Sequence, residues 1–203
     1  MTLTLMLCLL ATLVPVFFSR VSAAPVWLSV QALALGWITL NQHHPLSLHA
    51  AFAGIEVLLV RALLVPYLLR SAMAGQGHAQ VSLMPSNLFA WGIAVALIIF
   101  AFKFGDGARA DVRALTLGVV ASTVVMAFLI LATNPHKMAQ LVALLFMENA
   151  LALFESLMPE PWPLPVHLAI SAVYILTMAL GAWLVADTQA VEGDLAPALE
   201  ELA

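Results

Sequence analysis

Charged side chains are scarce in this sequence, where Asp, Glu, Lys and Arg together make up 9% of the 203 residues. A soluble domain carries about 25% charged residues. Hydrophobic residues account for 64% of the chain, and its mean hydropathy is +1.05. A water-soluble fold could not cover its surface with so little polar material. This composition excludes an ordinary soluble domain and predicts that the apolar residues face membrane lipid.

Cysteine is scarcer still, because Cys8 is the single cysteine of the chain. One cysteine can form neither a disulfide nor a cysteine-ligated metal or cluster site within the chain. The sequence also lacks a glycine-rich phosphate loop, a Ser-His-Asp set and a haem motif. Its seven Lys and Arg residues are scattered, which excludes a nucleic-acid footprint. We therefore expect no cofactor and no active site of its own in this chain.

Long apolar runs fill most of the sequence and separate at charges, prolines and glycines. A spanning helix needs about 20 apolar residues, and only helices or closed barrels satisfy their own backbone polar groups in lipid. Barrel strands would alternate over about ten residues, whereas these runs are continuous. The sequence predicts an all-α polytopic transmembrane bundle of about seven helices, with spans at 2–18, 23–40, 47–69, 87–104, 114–133, 138–157 and 164–186.

A polar interruption at 75–86 divides the chain into a three-helix N-terminal segment, 1–74, and a four-helix C-terminal segment, 75–186. The acidic residues concentrated after 186 predict a polar tail at 187–203. The first run lacks the basic n-region of a signal peptide, so we expect it to be retained as a helix. Basic residues in the short loops are divided equally between the two sides, so charge does not set the orientation.

Three ionisable residues lie deep in the predicted spans: Glu56 and Arg61 in the third, and Glu148 in the sixth. Each central charge costs about 2.5–3.5 kcal/mol on insertion scales, so such residues face a bundle interior or a water-filled path. Glu56 and Arg61 are five residues apart, about 140° around an α-helix. We therefore expect them to be poor partners for each other. Arg61 would then need a carboxylate on another helix or another subunit.

Glu148 is the leading candidate for chemistry. Asn149 lies at the same depth, and Glu155, seven residues on, shares its helix face about 10.5 Å along the axis. Gln140, eight residues before Glu148, extends this polar stripe. Burial disfavours the charged form of a carboxyl group, so a buried glutamate can take up and release a proton near neutral pH. A proton relay and a purely structural pairing role are both compatible with the pattern.

Two further residues allow two readings each. Arg61 keeps its charge in a protein, so it is either a fixed structural counter-ion or a charge that tunes a neighbouring carboxylate. His167 lies near the start of the last span. It either joins a proton path or forms a hydrogen bond at the membrane surface. No spacing of His, Asp and Glu in the sequence matches a metal site.

Two short stretches resemble the hydrogenase-4 component E family. Residues 61–66, Arg-Ala-Leu-Leu-Val-Pro, are similar to that family's basic–x–Leu-Leu-Val-Pro stretch in the third span. Residues 147–149, Met-Glu-Asn, are similar to its Met-Glu-Asn in the sixth. The length of about 200 residues, the nearly loop-free layout and the short polar tail agree as well.

The resemblance implies a multi-pass subunit of the bacterial plasma membrane, in a complex-I-like assembly such as formate hydrogenlyase or another group 4 energy-converting hydrogenase. Its partners would be lipid, antiporter-like and other membrane subunits, and, indirectly, soluble hydrogenase subunits that hold the nickel–iron chemistry. The family's C-terminal helices are similar to the K subunit of complex I. By this resemblance Glu148 is a carboxylate of the central hydrophilic axis, and Arg61 occupies the family's lysine position.

The sequence departs from the family pattern at several positions. Ala150 stands where the family has Gly, Arg61 where it usually has Lys, and Ser171 near the place of an acid in its last helix. Glu56 has no counterpart. Two other functions stay open: a structural scaffold whose charges are assembly pairs, and a subunit of a multisubunit cation/proton antiporter.

Overall fold

A computed structural model describes residues 1–18, 20–42, 48–74, 82–84, 88–104, 111–158 and 162–200, without the side chains of 42, 48–50 and 187–200. These residues form seven helical rods and contain no strand, so the predicted all-α bundle is confirmed. Most of the predicted 75–86 interruption lies outside the described residues.

The third rod differs from the others because it is built from three consecutive segments. It begins as α-helix, continues as a π-helix over Val57–Leu64, and ends as α-helix again. We call these three segments together the third span. The α-helices in chain order are α1 (Thr2–Phe18), α2 (Ala24–Gln42), α3 (Leu48–Glu56), α4 (Val65–Ala74), α5 (Leu88–Phe104), α6 (Val112–Thr133), α7 (Lys137–Glu155) and α8 (Leu164–Glu200).

The helix lengths suit a bilayer. Five of these helical rods are long and apolar enough to cross a membrane: α2, the third span, α6, α7 and the first part of α8. Helices α1 and α5 have 17 residues each, at the lower end of the roughly 17–25 residues that spanning requires. Large apolar side chains such as Phe89, Phe100, Leu176 and Trp183 are exposed on the outside of the bundle. The chain is therefore a multi-pass membrane protein.

Helix α8 is longer than the sequence predicted. It continues to Glu200, so the backbone of the segment predicted as an acidic tail is helical over most of its length. The membrane part of this helix is Leu164–Ala186. Only 22% of its most apolar 18-residue stretch is buried inside the bundle. Helix α8 therefore lies at the edge of the bundle and covers α7 with one face.

Helices α2 and α7 lie at the centre of the bundle. Helix α2 packs against α1, the third span and α7, while α7 also packs against α6 and α8. Small and large apolar side chains of α7, among them Ala139, Ala143, Leu145 and Phe146, are fully buried. This arrangement places the polar residues of α7 between the third span and α8.

Helix α8 approaches α7 closely at Gly181. A Cβ atom at this position would collide with the side chain of Leu141 on α7, whereas a Cβ atom at Gly92 on α5 would meet nothing within 4 Å. The absence of a side chain at 181 thus sets how tightly α8 covers the polar residues of α7.

Gly181→Ala should lower the free energy of unfolding by about 1–3 kcal/mol relative to Gly92→Ala, because the added methyl overpacks the α7–α8 contact. Both changes replace a helical glycine by alanine and so raise the helix propensity by the same amount. Gly92→Ala is therefore the matched control. Unfolding of the full chain in detergent micelles measures the difference. Leu141→Ala combined with Gly181→Ala should cost less than the sum of the two single changes, because the added methyl then occupies space that Leu141 has vacated. Equal effects at the two glycines would contradict this account of the packing.

Candidate functional site

The third span changes helical register beside Arg61. The backbone N–H of Val65 bonds the carbonyl of Val60, which is the i→i+5 bond of a π-helix. Such segments are rare and occur frequently at functional sites. The next residue, Pro66, has no N–H to offer, and its ring crowds the carbonyl four residues earlier. The last π hydrogen bond of the span is therefore donated by Val65, immediately before the proline.

The π register brings Glu56 and Arg61 together. When hydrogen bonds join residues five apart, a residue five positions on lies about one turn along the same face. Arg61 Nε is 3.7 Å from Glu56 Oε1. The prediction that these two residues are poor partners is wrong, because it assumed α-helical geometry throughout the span. The carboxylate nearest Arg61 comes from its own span and not from another helix.

Arg61 is 1% exposed and has partners on three spans. Its Nη1 donates hydrogen bonds to the backbone carbonyl of Glu148, at 3.3 Å, and to Asn149 Oδ1, at 3.2 Å, on α7. Its guanidinium carbon lies 4.5 Å from the ring centroid of Tyr174 on α8, a cation–π distance. A buried charge is tolerated only when it is paired and hydrogen-bonded in this way.

The Glu148 carboxyl group points towards α8. Thr177 Oγ1 donates a hydrogen bond to Glu148 Oε1 at 2.6 Å. Its other oxygen, Oε2, is buried and has no hydrogen bond within the described part of the chain. A buried carboxyl oxygen without a partner is costly, and a bound proton or a water molecule would relieve that cost.

Glu155 forms a second polar pair at the end of α7. Its Oε1 lies 2.8 Å from His167 Nε2 on α8. Glu148 and Glu155 therefore both face α8, as their seven-residue spacing predicted. Gln140 departs from the predicted stripe, because its Nε2 donates to the backbone carbonyl of Asn134 in the turn between α6 and α7.

A small cavity of about 20 Å³ lies between the two pairs. One water molecule needs about 10–15 Å³ of such space and two to four polar partners. Four of the five predicted site residues line this cavity, and the fifth, Glu148, bonds Arg61 through its backbone carbonyl. The polar residues around the cavity are Thr39, Glu56, Arg61, Glu155, His167 and Ser171.

Sequence reasoning missed a second branch of this polar cluster. Asn149 Nδ2 donates to Gln31 Oε1 at 3.0 Å, and Gln31 Nε2 donates to Thr12 Oγ1 at 2.9 Å. Thr12 Oγ1 in turn lies 3.5 Å from Thr123 Oγ1. Gln31 could have been identified from the sequence, because it is an amide inside an apolar span. Thr12 and Thr123 could not, because a threonine hydroxyl in a helix commonly bonds the backbone of its own helix.

Arg61→Met should lower the free energy of unfolding by about 3–5 kcal/mol, because it leaves the Glu56 carboxylate buried without its cation. Arg70→Met is the matched control, since Arg70 is exposed in the same span and should change stability by less than about 0.5 kcal/mol. Denaturant unfolding in micelles measures both variants. Adding Glu56→Gln to Arg61→Met should recover part of the loss. Equal losses at both arginines would contradict a buried pair.

Comparisons with known proteins return no match: no protein-family model fits the chain, and no curated protein or solved structure matches it. Over the residues that the structure describes, no group of three or more His, Cys, Asp or Glu side chains is arranged to hold a metal ion. Among the described residues, the polar cluster around Arg61 brings together the ionisable side chains that could support chemistry.

Proposed function

We propose that this chain is a membrane subunit of a proton-translocating, complex-I-like assembly, and that Glu148 carries the transferred proton. One observation carries the proposal: the Glu148 carboxyl group has a buried oxygen without a hydrogen bond among the described residues, and the backbone carbonyl of the same residue accepts a hydrogen bond from the permanently charged Arg61. The two motif stretches that resemble hydrogenase-4 component E favour a group 4 energy-converting hydrogenase of the bacterial plasma membrane as the assembly.

The residues divide into groups that exchange protons and a group that does not. Glu155 and His167 can each hold a proton, and they lie together at the end of α7. Water in the cavity would connect them to Glu56, which lines the same cavity. Arg61 stays charged throughout, so it stabilises the negative charge that a departing proton leaves on a neighbouring carboxyl group.

Thr177 suits a carboxyl group that changes its protonation state. A hydroxyl is both donor and acceptor and rotates to suit its partner. Thr177 can therefore donate to an ionised Glu148, as in the observed 2.6 Å bond, and can accept from a protonated one. The hydrogen bond is kept in both states, so proton release does not require the α7–α8 contact to open.

The carboxyl groups cover only part of the membrane. Glu148 and Glu155 are seven residues apart, about 10.5 Å along α7, against a hydrocarbon core of about 30 Å. A complete path across the bilayer then requires groups from neighbouring subunits. This requirement favours the antiporter-like membrane partners that the motif resemblance implies.

A structural role is the second candidate function, and the contacts of Arg61 favour it. Its hydrogen bonds and ring contact tie the third span to α7 and α8. A scaffold that docks larger subunits would need such ties and would not need an exchangeable proton. The two roles differ in whether Glu148 must release a proton.

Glu148→Gln in the intact assembly should leave assembly unchanged and reduce coupled proton transport about tenfold or more. Glutamine keeps the shape of the glutamate side chain and can accept the hydrogen bond from Thr177, but it cannot release a proton. Proton uptake by inverted membrane vesicles, read with a pH-sensitive dye, measures transport, and co-purification on a tagged chain measures assembly. Glu192→Gln, in α8 beyond the membrane part, is the matched control. Unchanged transport in an intact assembly would rule out the relay, and loss of assembly would favour the scaffold.

The tagged wild-type chain should co-purify with a nickel–iron hydrogenase large subunit and with antiporter-like membrane subunits. Mass spectrometry of the complex, extracted from native membranes in mild detergent, identifies the partners. Antiporter subunits without any hydrogenase subunit would assign the chain to a cation/proton antiporter instead.

A further inference from the structure

Pro66 removes a hydrogen-bond donor from the middle of the third span. In an α-helix the carbonyl of Ala62 would accept from the backbone N–H of residue 66, but proline has none. Ala62 is 2% exposed, so neither bulk water nor a lipid headgroup can replace the missing donor. An unsatisfied backbone carbonyl inside a membrane costs several kcal/mol.

Ser29 on α2 supplies the donor that Pro66 removes. Its hydroxyl oxygen lies 2.8 Å from the carbonyl oxygen of Ala62 and 3.1 Å from that of Pro25 in its own helix. A serine hydroxyl has a single proton, and the shorter contact is the one between the two spans. This bond joins α2 to the π segment one residue beyond Arg61.

A glycine on α2 accommodates the wide turn of the π segment. Gly36 is seven residues after Ser29 and so shares its face. A Cβ atom at Gly36 would lie 3.2 Å from Leu58 Cδ2 in the π segment, which is tighter than an ordinary van der Waals contact. The face of α2 that carries Ser29 is therefore shaped for the π segment at both points.

We propose that Pro66 and Ser29 are positioning residues that hold the third span in π register and thereby pair Arg61 with Glu56. Without them the span would return to α register, in which these two residues lie about 140° apart. The pairing itself stands independently of proton transfer. Its effect on proton transfer rests on the proposed function.

A double-mutant cycle between positions 29 and 66 tests the assignment in the full chain, reconstituted in lipid nanodiscs. Ser29→Ala should lower the folding equilibrium constant about tenfold, because the Ala62 carbonyl loses its donor. In the Pro66→Ala background the same change should have almost no effect, because residue 66 then supplies an N–H to that carbonyl. An equal loss in both backgrounds would overturn the proposal.

Ser122→Ala is the matched control for the cycle. Ser122 is fully buried in α6, and its hydroxyl has no hydrogen bond among the described residues. Its change should have the same small effect whether residue 66 is proline or alanine. Ser29→Thr keeps a hydroxyl and should restore most of the stability that Ser29→Ala loses.

A distance measurement tests the register directly. Solid-state NMR measures the dipolar dephasing between a labelled glutamate side-chain carboxyl carbon and a labelled arginine side-chain nitrogen. This dephasing should report the Glu56–Arg61 pair, and the Glu56→Gln variant gives the background signal. The signal should vanish in Pro66→Ala and persist in Pro15→Ala, a change of the proline inside α1. If Pro66→Ala does not fold, Ser29→Ala should weaken the signal and Ser29→Thr should restore it. Signals that are unchanged in these variants would overturn the proposal.

Proton transport by the same variants separates this inference from the proposed function. Loss of the NMR signal together with reduced transport supports both. Loss of the signal with unchanged transport keeps the positioning role of Pro66 and Ser29 and contradicts a proton path through Glu56.

Discussion

The permanent charge of Arg61 is the constraint around which the centre of this bundle is organised. A guanidinium cannot shed its proton in a protein, and burying it is costly unless it is paired and hydrogen-bonded. The bundle surrounds it with a carboxylate from its own span, a carbonyl and an amide from α7, and an aromatic ring from α8. Each of these partners requires its helix to lie at a particular distance from the third span, so the charge and the packing depend on each other.

Helix α2 shows how this requirement extends beyond the residues that touch the charge. Ser29 satisfies a carbonyl of the π segment and Gly36 makes room for it, while Gln31 bonds the amide of Asn149. Asn149 can therefore hold Arg61 on one side and Gln31 on the other. The polar contacts of α2, the third span and α7 thus meet at Asn149, inside a bundle whose outer surface is apolar.

Fixed and exchangeable groups lie next to each other in this cluster. Arg61 provides a charge that does not titrate, whereas Glu148, Glu155 and His167 can hold a proton, and a small cavity lies between the pairs. In the proposed relay this division lets a proton move while the surrounding packing stays in place. In the structural alternative the same contacts simply hold three spans together.

The amino-acid sequence by itself predicted the all-α bundle and singled out the ionisable residues deep in its spans. Hydrophobicity along a run is a local property, and the cost of a charge in lipid depends on residue type and depth, so Glu56, Arg61 and Glu148 could be singled out without a structure. The fixed 3.6-residue period of an α-helix also placed Glu148 and Glu155 correctly on one face.

Only the tertiary structure decided which of these residues are partners. The pairing of Glu56 with Arg61 depends on a local π register. A proline in the same span and a serine hydroxyl on a different helix accompany that register. The link from Asn149 through Gln31 to Thr12 likewise depends on the packing of α7 against α2, a helix 118 residues away in the sequence at this contact. Helix register and helix contacts are set by packing between spans, and one-dimensional periodicity does not contain that information.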